Sequence, residues 1–134
     1  MKEKRGVTLM ELVVVVIIIG ILSGLAMPLY YKSKERALDN EASANLKLIR
    51  AAEQTYRMEM GNYTACVDTN DTNLQLKLLL PNGTKRSWDY KVDLVNNFTA
   101  KAGRIQGTSG TYSRAWCINK SVDEPYNLTL GCQW

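Results

Sequence analysis

The chain has 134 residues, 46% of them hydrophobic, and a formal charge of +4, which suits one domain with a modest core. Lys2, Glu3, Lys4 and Arg5 supply +3 − 1 = +2 of that charge, leaving +4 − 2 = +2 elsewhere. So mild a balance argues against specific nucleic-acid binding as the main activity. Histidine is absent, which removes imidazole bases, Ser-His-Asp and Cys-His nucleophiles and CxxCH haem attachment. The three cysteines, Cys66, Cys117 and Cys132, form no CxxC pair, so neither a metal site nor a cofactor is expected.

In chain order, a charged leader, Met1 to Gly6, precedes Val7-Thr8-Leu9-Met10-Glu11. Leu12 to Met27 is then almost wholly apolar, and the run stops at Pro28. A secretory signal would close its apolar core with a small-residue cleavage site. None follows here, so processing is expected before the apolar segment, after Gly6. The hydrophobic stretch would then stay with the mature chain. As a helix it can span a bilayer core, since about 20 residues at 1.5 Å rise cover about 30 Å. Glu11 stands out, because an unpaired carboxylate in hydrocarbon costs several kcal/mol or is neutralised. Cleavage after Gly6 creates an α-amino group on Val7. That group on a neighbouring subunit is a natural partner for Glu11, and it selects axial register more than it adds stability.

Lys4-Arg5-Gly6-Val7-Thr8-Leu9-Met10-Glu11 resembles the type IV prepilin (class III) signal. The resemblance implies cleavage after Gly6 by a prepilin peptidase and methylation of the new N-terminus, Val7. It also implies an inter-subunit pair between Glu11 and the methylated amine of Val7. The usual first mature residue of that family is phenylalanine, and here it is valine. The family's characteristic glycine and proline fall on Gly20 and Pro28, implying that the helix can lose regularity between them inside a filament. Elementary chemistry agrees, since Pro28 removes a helix hydrogen bond while Gly20 and Gly24 weaken helicity.

Beyond Pro28 the helix is expected to resume. Leu38, Ala42, Leu46, Ile49, Ala51, Ala52, Tyr56 and Met60 follow three-to-four spacing, with Lys34, Arg36, Glu41, Lys47, Arg50, Glu53, Arg57 and Glu59 assigned to the polar faces. Gly61-Asn62 is the stop. Asn62 to Ser87 reads as a loop, with Asp71 capping a short piece over Leu74–Leu80. Trp88, Tyr90, Val92 and Leu94 alternate with polar residues as a half-buried strand. Phe98–Ile105 is a second strand, Gly107-Thr108-Ser109-Gly110 a turn, and Tyr112 to Ile118 a third strand. The tail from Ser121 to Trp134 reads as irregular. The expected fold is α+β, a pilin fold with one long N-terminal helix and a small antiparallel sheet packed on its C-terminal half. Its parts are a cleaved leader (1–6), an apolar membrane or filament-core half-helix (7–28), an amphipathic half-helix (29–61) and a β-sheet head (62–134).

Pairing Cys117 with Cys132 would enclose the tail, resembles the disulfide-bounded C-terminal region of many pilins, and closes a loop worth roughly 3 kcal/mol. Cys66 with Cys132 competes, and sequence cannot choose among the three pairings. Six Asn-x-Ser/Thr acceptors occur, at Asn62, Asn70, Asn82, Asn97, Asn119 and Asn127; an Asn- and Thr-rich surface also produces them. Asp123-Glu124 lacks the ligand count calcium needs and reads as a solvated turn. The resemblance implies a structural subunit of an extracellular type IV pilus, not an enzyme. Such a subunit is held in the inner membrane as a precursor and assembled with identical subunits into a helical homopolymer by the pilus machinery. Adhesion or motility would belong to the fibre. The alternatives are a pseudopilin of a type II secretion system and a monomeric membrane-anchored binding module.

Overall fold

Thr8 opens the first helix: its hydroxyl oxygen accepts the Glu11 backbone N–H at 3.3 Å, and its carbonyl accepts that of Leu12 at 3.2 Å. A side-chain acceptor at this position satisfies one of the donors that every helix start leaves unpaired. The computed structural model describes residues 7–84, 86–95, 97–105 and 112–127. Helix α1 (Leu9–Met60) contains 52 residues, Pro28 among them. It stops at Gly61, whose φ of 85° is a left-handed backbone that a Cβ disfavours, and whose N–H returns to the Arg57 carbonyl at 2.8 Å.

The chain divides into two compact units, Met1–Ala37 and Leu38–Trp134, and α1 contributes residues to both. In the first unit every described residue is exposed. Its helical stretch is long and apolar enough to cross a membrane. A helix that is apolar all round has no face to turn to water, so its surface suits lipid or other helices.

The second unit holds an α+β head. Along α1, Ala42, Leu46, Ile49 and Glu53 are buried; steps of four, three and four residues place them on one stripe. Opposite them lies a four-stranded antiparallel sheet in the order β1-β2-β3-β4, with β1 (Trp88–Asp93), β2 (Thr99–Ile105), β3 (Tyr112–Asn119) and β4 (Tyr126–Asn127). Trp88, Tyr90 and Val92 of β1 are buried and alternate with half-buried Asp89, Lys91 and Asp93, as period-two patterning requires. Ala100 and Ala102 on the central β2 and Ile118 on β3 complete the core with Cys66, Leu76, Leu80 and Phe98. Side-chain hydrogen bonds tie sheet to helix: Trp88 Nε1 donates to the Leu38 carbonyl at 2.9 Å, and Asn45 Nδ2 donates to the Tyr90 hydroxyl at 2.8 Å. At the same end of the head Arg114 Nη1 donates to both carboxylate oxygens of Asp39, at 2.9 and 2.8 Å.

Three local readings differ from expectation. The short helix α2 is Thr69–Gln75, earlier than Leu74–Leu80, because Asp68 is its cap: Asp68 Oδ1 accepts the Asp71 N–H at 2.8 Å, while Asp71 Oδ2 accepts that of Val67 at 3.0 Å. The expected Leu74–Leu80 piece is where the chain leaves the helix. Lys77 turns left-handed there with φ 53°, Leu78 returns its N–H to Asn73 at 3.1 Å, and the Asn73 side chain bonds both the N–H and the carbonyl of Leu80. Part of the tail is ordered as well: β4 pairs Tyr126 with Cys117 and Asn127 with Trp116. Two residues are too few for alternation to be visible in sequence. The turn at Gly107–Gly110 and the tail beyond Asn127 lie outside the described residues.

Candidate functional site

The N-terminal segment carries the residues expected to act. Gly6 lies outside the described residues; Val7 is exposed and precedes the helix, and Glu11 is an exposed acid in the first turn of α1. An acid at that place complements the positive end of the helix dipole. Thr8 and Glu11 are also spaced as a capping box, with half of it formed by the Thr8 side chain. The signal Thr-x-x-Glu before an apolar run is present in the sequence and gives Glu11 a local role at the helix start. Gly20 and Pro28 both lie inside α1. A Cβ placed on Gly20 or Gly24 would meet nothing within 4 Å, so neither glycine is required by packing within the single chain. Pro28 has no N–H to offer the Gly24 carbonyl one turn back.

Cys66 is a free, buried thiol. Its backbone bridges to the β1 strand, Cys66 N donating to Val92 O at 2.9 Å and Val92 N to Cys66 O at 2.8 Å. Burial first, then the charges of Glu53 and Asp71, push the thiol up to about 12. Cys117 packs with Ala115 against Tyr126, in a cluster separate from the core that holds Cys66. Alternation along β3 places Cys117 on one face of the sheet and Ile118 on the other. The free state of Cys66 removes the Cys66–Cys132 alternative. Cys132 lies outside the described residues.

The charge pattern assigns Glu53 to a polar face, and the structure instead buries it completely. Its Oε2 accepts the Thr64 N–H at 3.2 Å, and its Oε1 has no hydrogen-bond partner among the described residues. Burial raises the carboxyl from 4.5 to about 7, with the Thr64 hydrogen bond working in the opposite direction. The charge-based assignment fails because Glu53 continues the 42-46-49 stripe, a spacing that points inward regardless of charge.

The remaining polar signals resolve into structure. Asp123 pairs with Arg50 at 2.6 Å and Glu124 with Lys47 at 2.8 Å, which ties the turn after β3 to α1. Asn82 Nδ2 donates to Asn70 Oδ1 at 2.9 Å, and Asn119 Oδ1 accepts the backbone N–H groups of Ser121 and Val122. Asn62, Asn70, Asn82 and Asn97 are exposed. A groove of about 490 Å³ opens between α1 and the end of α2, lined by Ala52, Tyr56, Met60 and Leu76 among others.

Residues 1–27 match the family described as the prokaryotic N-terminal methylation motif. Over 62 residues the chain is 42% identical to the type IV major pilin protein PilA of Myxococcus xanthus (strain DK1622), covering 46% of this chain and 28% of that protein. It is 28% identical over 90 residues to the type II secretion system core protein G of Klebsiella pneumoniae, covering 67% of this chain and 61% of the relative. With the Escherichia coli (strain K12) core protein G it shares 33% identity over 61 residues, 46% of this chain and 42% of the relative. The matched stretches thus span less than two thirds of each of these relatives. No solved structure matches the chain.

Proposed function

We propose that this chain, a member of the type IV pilin and pseudopilin family, is a structural subunit of an extracellular type IV pilus. Prepilin peptidase removes residues 1–6 by cutting after Gly6, and the amine of Val7 is methylated. Residues 7–28 hold the precursor in the inner membrane. Assembly machinery then transfers that stretch into the filament core, where identical subunits stack. Residues 29–61 and 62–134 form the amphipathic half-helix and the head.

The observation that carries this reading is the run from Val7 to Tyr31, exposed along its whole length and apolar except for Glu11 near its start and a few small polar residues. Such a surface is stable only in lipid or against other apolar helices. Glu11 pairs with the Val7 amine of an adjacent subunit, so burial of the acid is tolerated only in correct axial register. The helix loosens between Gly20 and Pro28 in the filament, where the missing donor at Pro28 weakens the ladder. Cys117 and Cys132 form the disulfide that bounds the C-terminal region; the support is that Cys117 is disulfide-bonded while Cys66 is free, in a chain with three cysteines.

Sheared surface material, imaged and analysed by mass spectrometry, tests this. The expected result is fibres whose subunits begin at methylated Val7; fibres that retain Met1 to Gly6 would overturn it. A second reading, a pseudopilin of a type II secretion system, is favoured by the similarity to core protein G, which extends over 67% of this chain. Short periplasmic fibres together with an export defect on deletion would select it.

A further inference from the structure

Immediately after the apolar run, Tyr30 and Tyr31 stand exposed on α1, 67% and 59%, with their rings edge to face at 6.2 Å between centroids. The next residues, Lys32, Ser33, Lys34, Glu35 and Arg36, are exposed as well and sum to +3 − 1 = +2. Their distribution around the helix is informative. At about 100° per residue, Arg36 lies about 40° from Lys32, while Lys34 lies about 160° away on the opposite side. A protein partner reads one face of a helix, whereas a lipid headgroup layer surrounds it.

The axial spacing agrees. From Leu12 to Leu29 the apolar segment rises roughly 26 Å, close to the hydrocarbon thickness of a bilayer. Tyr30 and Tyr31 then fall at the depth where amphipathic rings collect, and Lys32 to Arg36 rise a further 6 Å or so through the phosphate layer.

We infer that Lys32, Lys34 and Arg36 form a basic collar that binds the headgroups of anionic phospholipids and sets the depth of the subunit in the membrane. Each such residue near an anionic surface favours anionic lipid by up to roughly fivefold. The collar thus retains the stored subunit in an anionic leaflet until assembly withdraws it. This rests on the membrane-storage step proposed above.

The test uses the full chain, leader included, in phosphatidylcholine vesicles with about 30% phosphatidylglycerol, a composition with a negative surface potential. Spin-labelled lipids report which species is held at the protein boundary, and resistance to alkaline extraction reports integration. The expected result is a several-fold preference for phosphatidylglycerol. It should fall to near unity in the Lys32→Gln/Lys34→Gln/Arg36→Gln variant and in about 0.5 M salt, where the screening length is only a few ångströms. A Lys2→Gln/Lys4→Gln/Arg5→Gln variant should keep most of the preference. An integrated chain with no preference, or one whose preference survives the collar variant, overturns the collar and leaves the membrane step standing. A chain extracted by alkali overturns both.

Discussion

The substitution Glu53→Gln tests the buried carboxyl most directly. A carboxyl with an ordinary value of 4.5, held at about 7 in the folded protein, binds its proton about 3 kcal/mol more tightly when folded, at about 1.4 kcal/mol per pH unit. Below pH 4.5 the group is protonated in both states, and this contribution to stability is fully present. As pH rises through 7 the folded state too must give up the proton, and the contribution is lost. The substituted amide stays neutral and keeps an acceptor for Thr64, but its own hydrogens occupy the place of Oε1, which has no hydrogen-bond partner among the described residues. That costs about 1–3 kcal/mol at every pH. The variant should therefore be less stable than the parent near pH 4 and about equal, or ahead by up to about 2 kcal/mol, near pH 8.5. The change in the difference, about 3 kcal/mol, is the decisive quantity. Urea unfolding of the full chain in detergent, followed by tryptophan fluorescence, to which buried Trp88 contributes, measures it. Parallel pH profiles for parent and variant would refute the assignment of Glu53 as a neutral acid at the core.

Four other outcomes follow from the same packing. Ile49→Ala empties part of the stripe facing the sheet, where Ile49 is wholly buried, and should cost about 2–5 kcal/mol in the same assay. Asp68→Ala removes the cap of α2 and should cost about 0.5–2 kcal/mol, with hydrogen exchange accelerated first at Asp71. Lys77→Gly relieves a left-handed backbone at the end of α2 and should raise stability by about 0.5–1 kcal/mol; a loss would show that the Lys77 side chain is needed. The Cys66 thiol, pushed up to about 12 and buried, should resist alkylation at pH 8 in the folded chain and react once urea unfolds it.

Much of this protein is legible without any tertiary contact. An apolar run that begins after Gly6 and contains Glu11 can be read from the chain alone, because length and composition mark it without any tertiary contact. The β1 strand is equally plain, since Trp88, Tyr90 and Val92 alternate strictly and the sheet buries one face. Helix α1 and its stop at Gly61 follow from spacing and from the backbone freedom of glycine.

Other features depend on what the folded chain places beside them. Glu53 resembles its exposed neighbours Lys47 and Arg57 in carrying a charge; its spacing continues the buried stripe, but only the folded chain supplies the Thr64 N–H that one of its oxygens accepts. Asp68 rather than Asp71 caps α2 because backbone geometry decides which carboxylate meets which N–H. Strand β4 exists through its pairing with Cys117 and Trp116. Local pattern reports which face of an element is apolar; only three-dimensional packing determines which polar group loses its water and what replaces it.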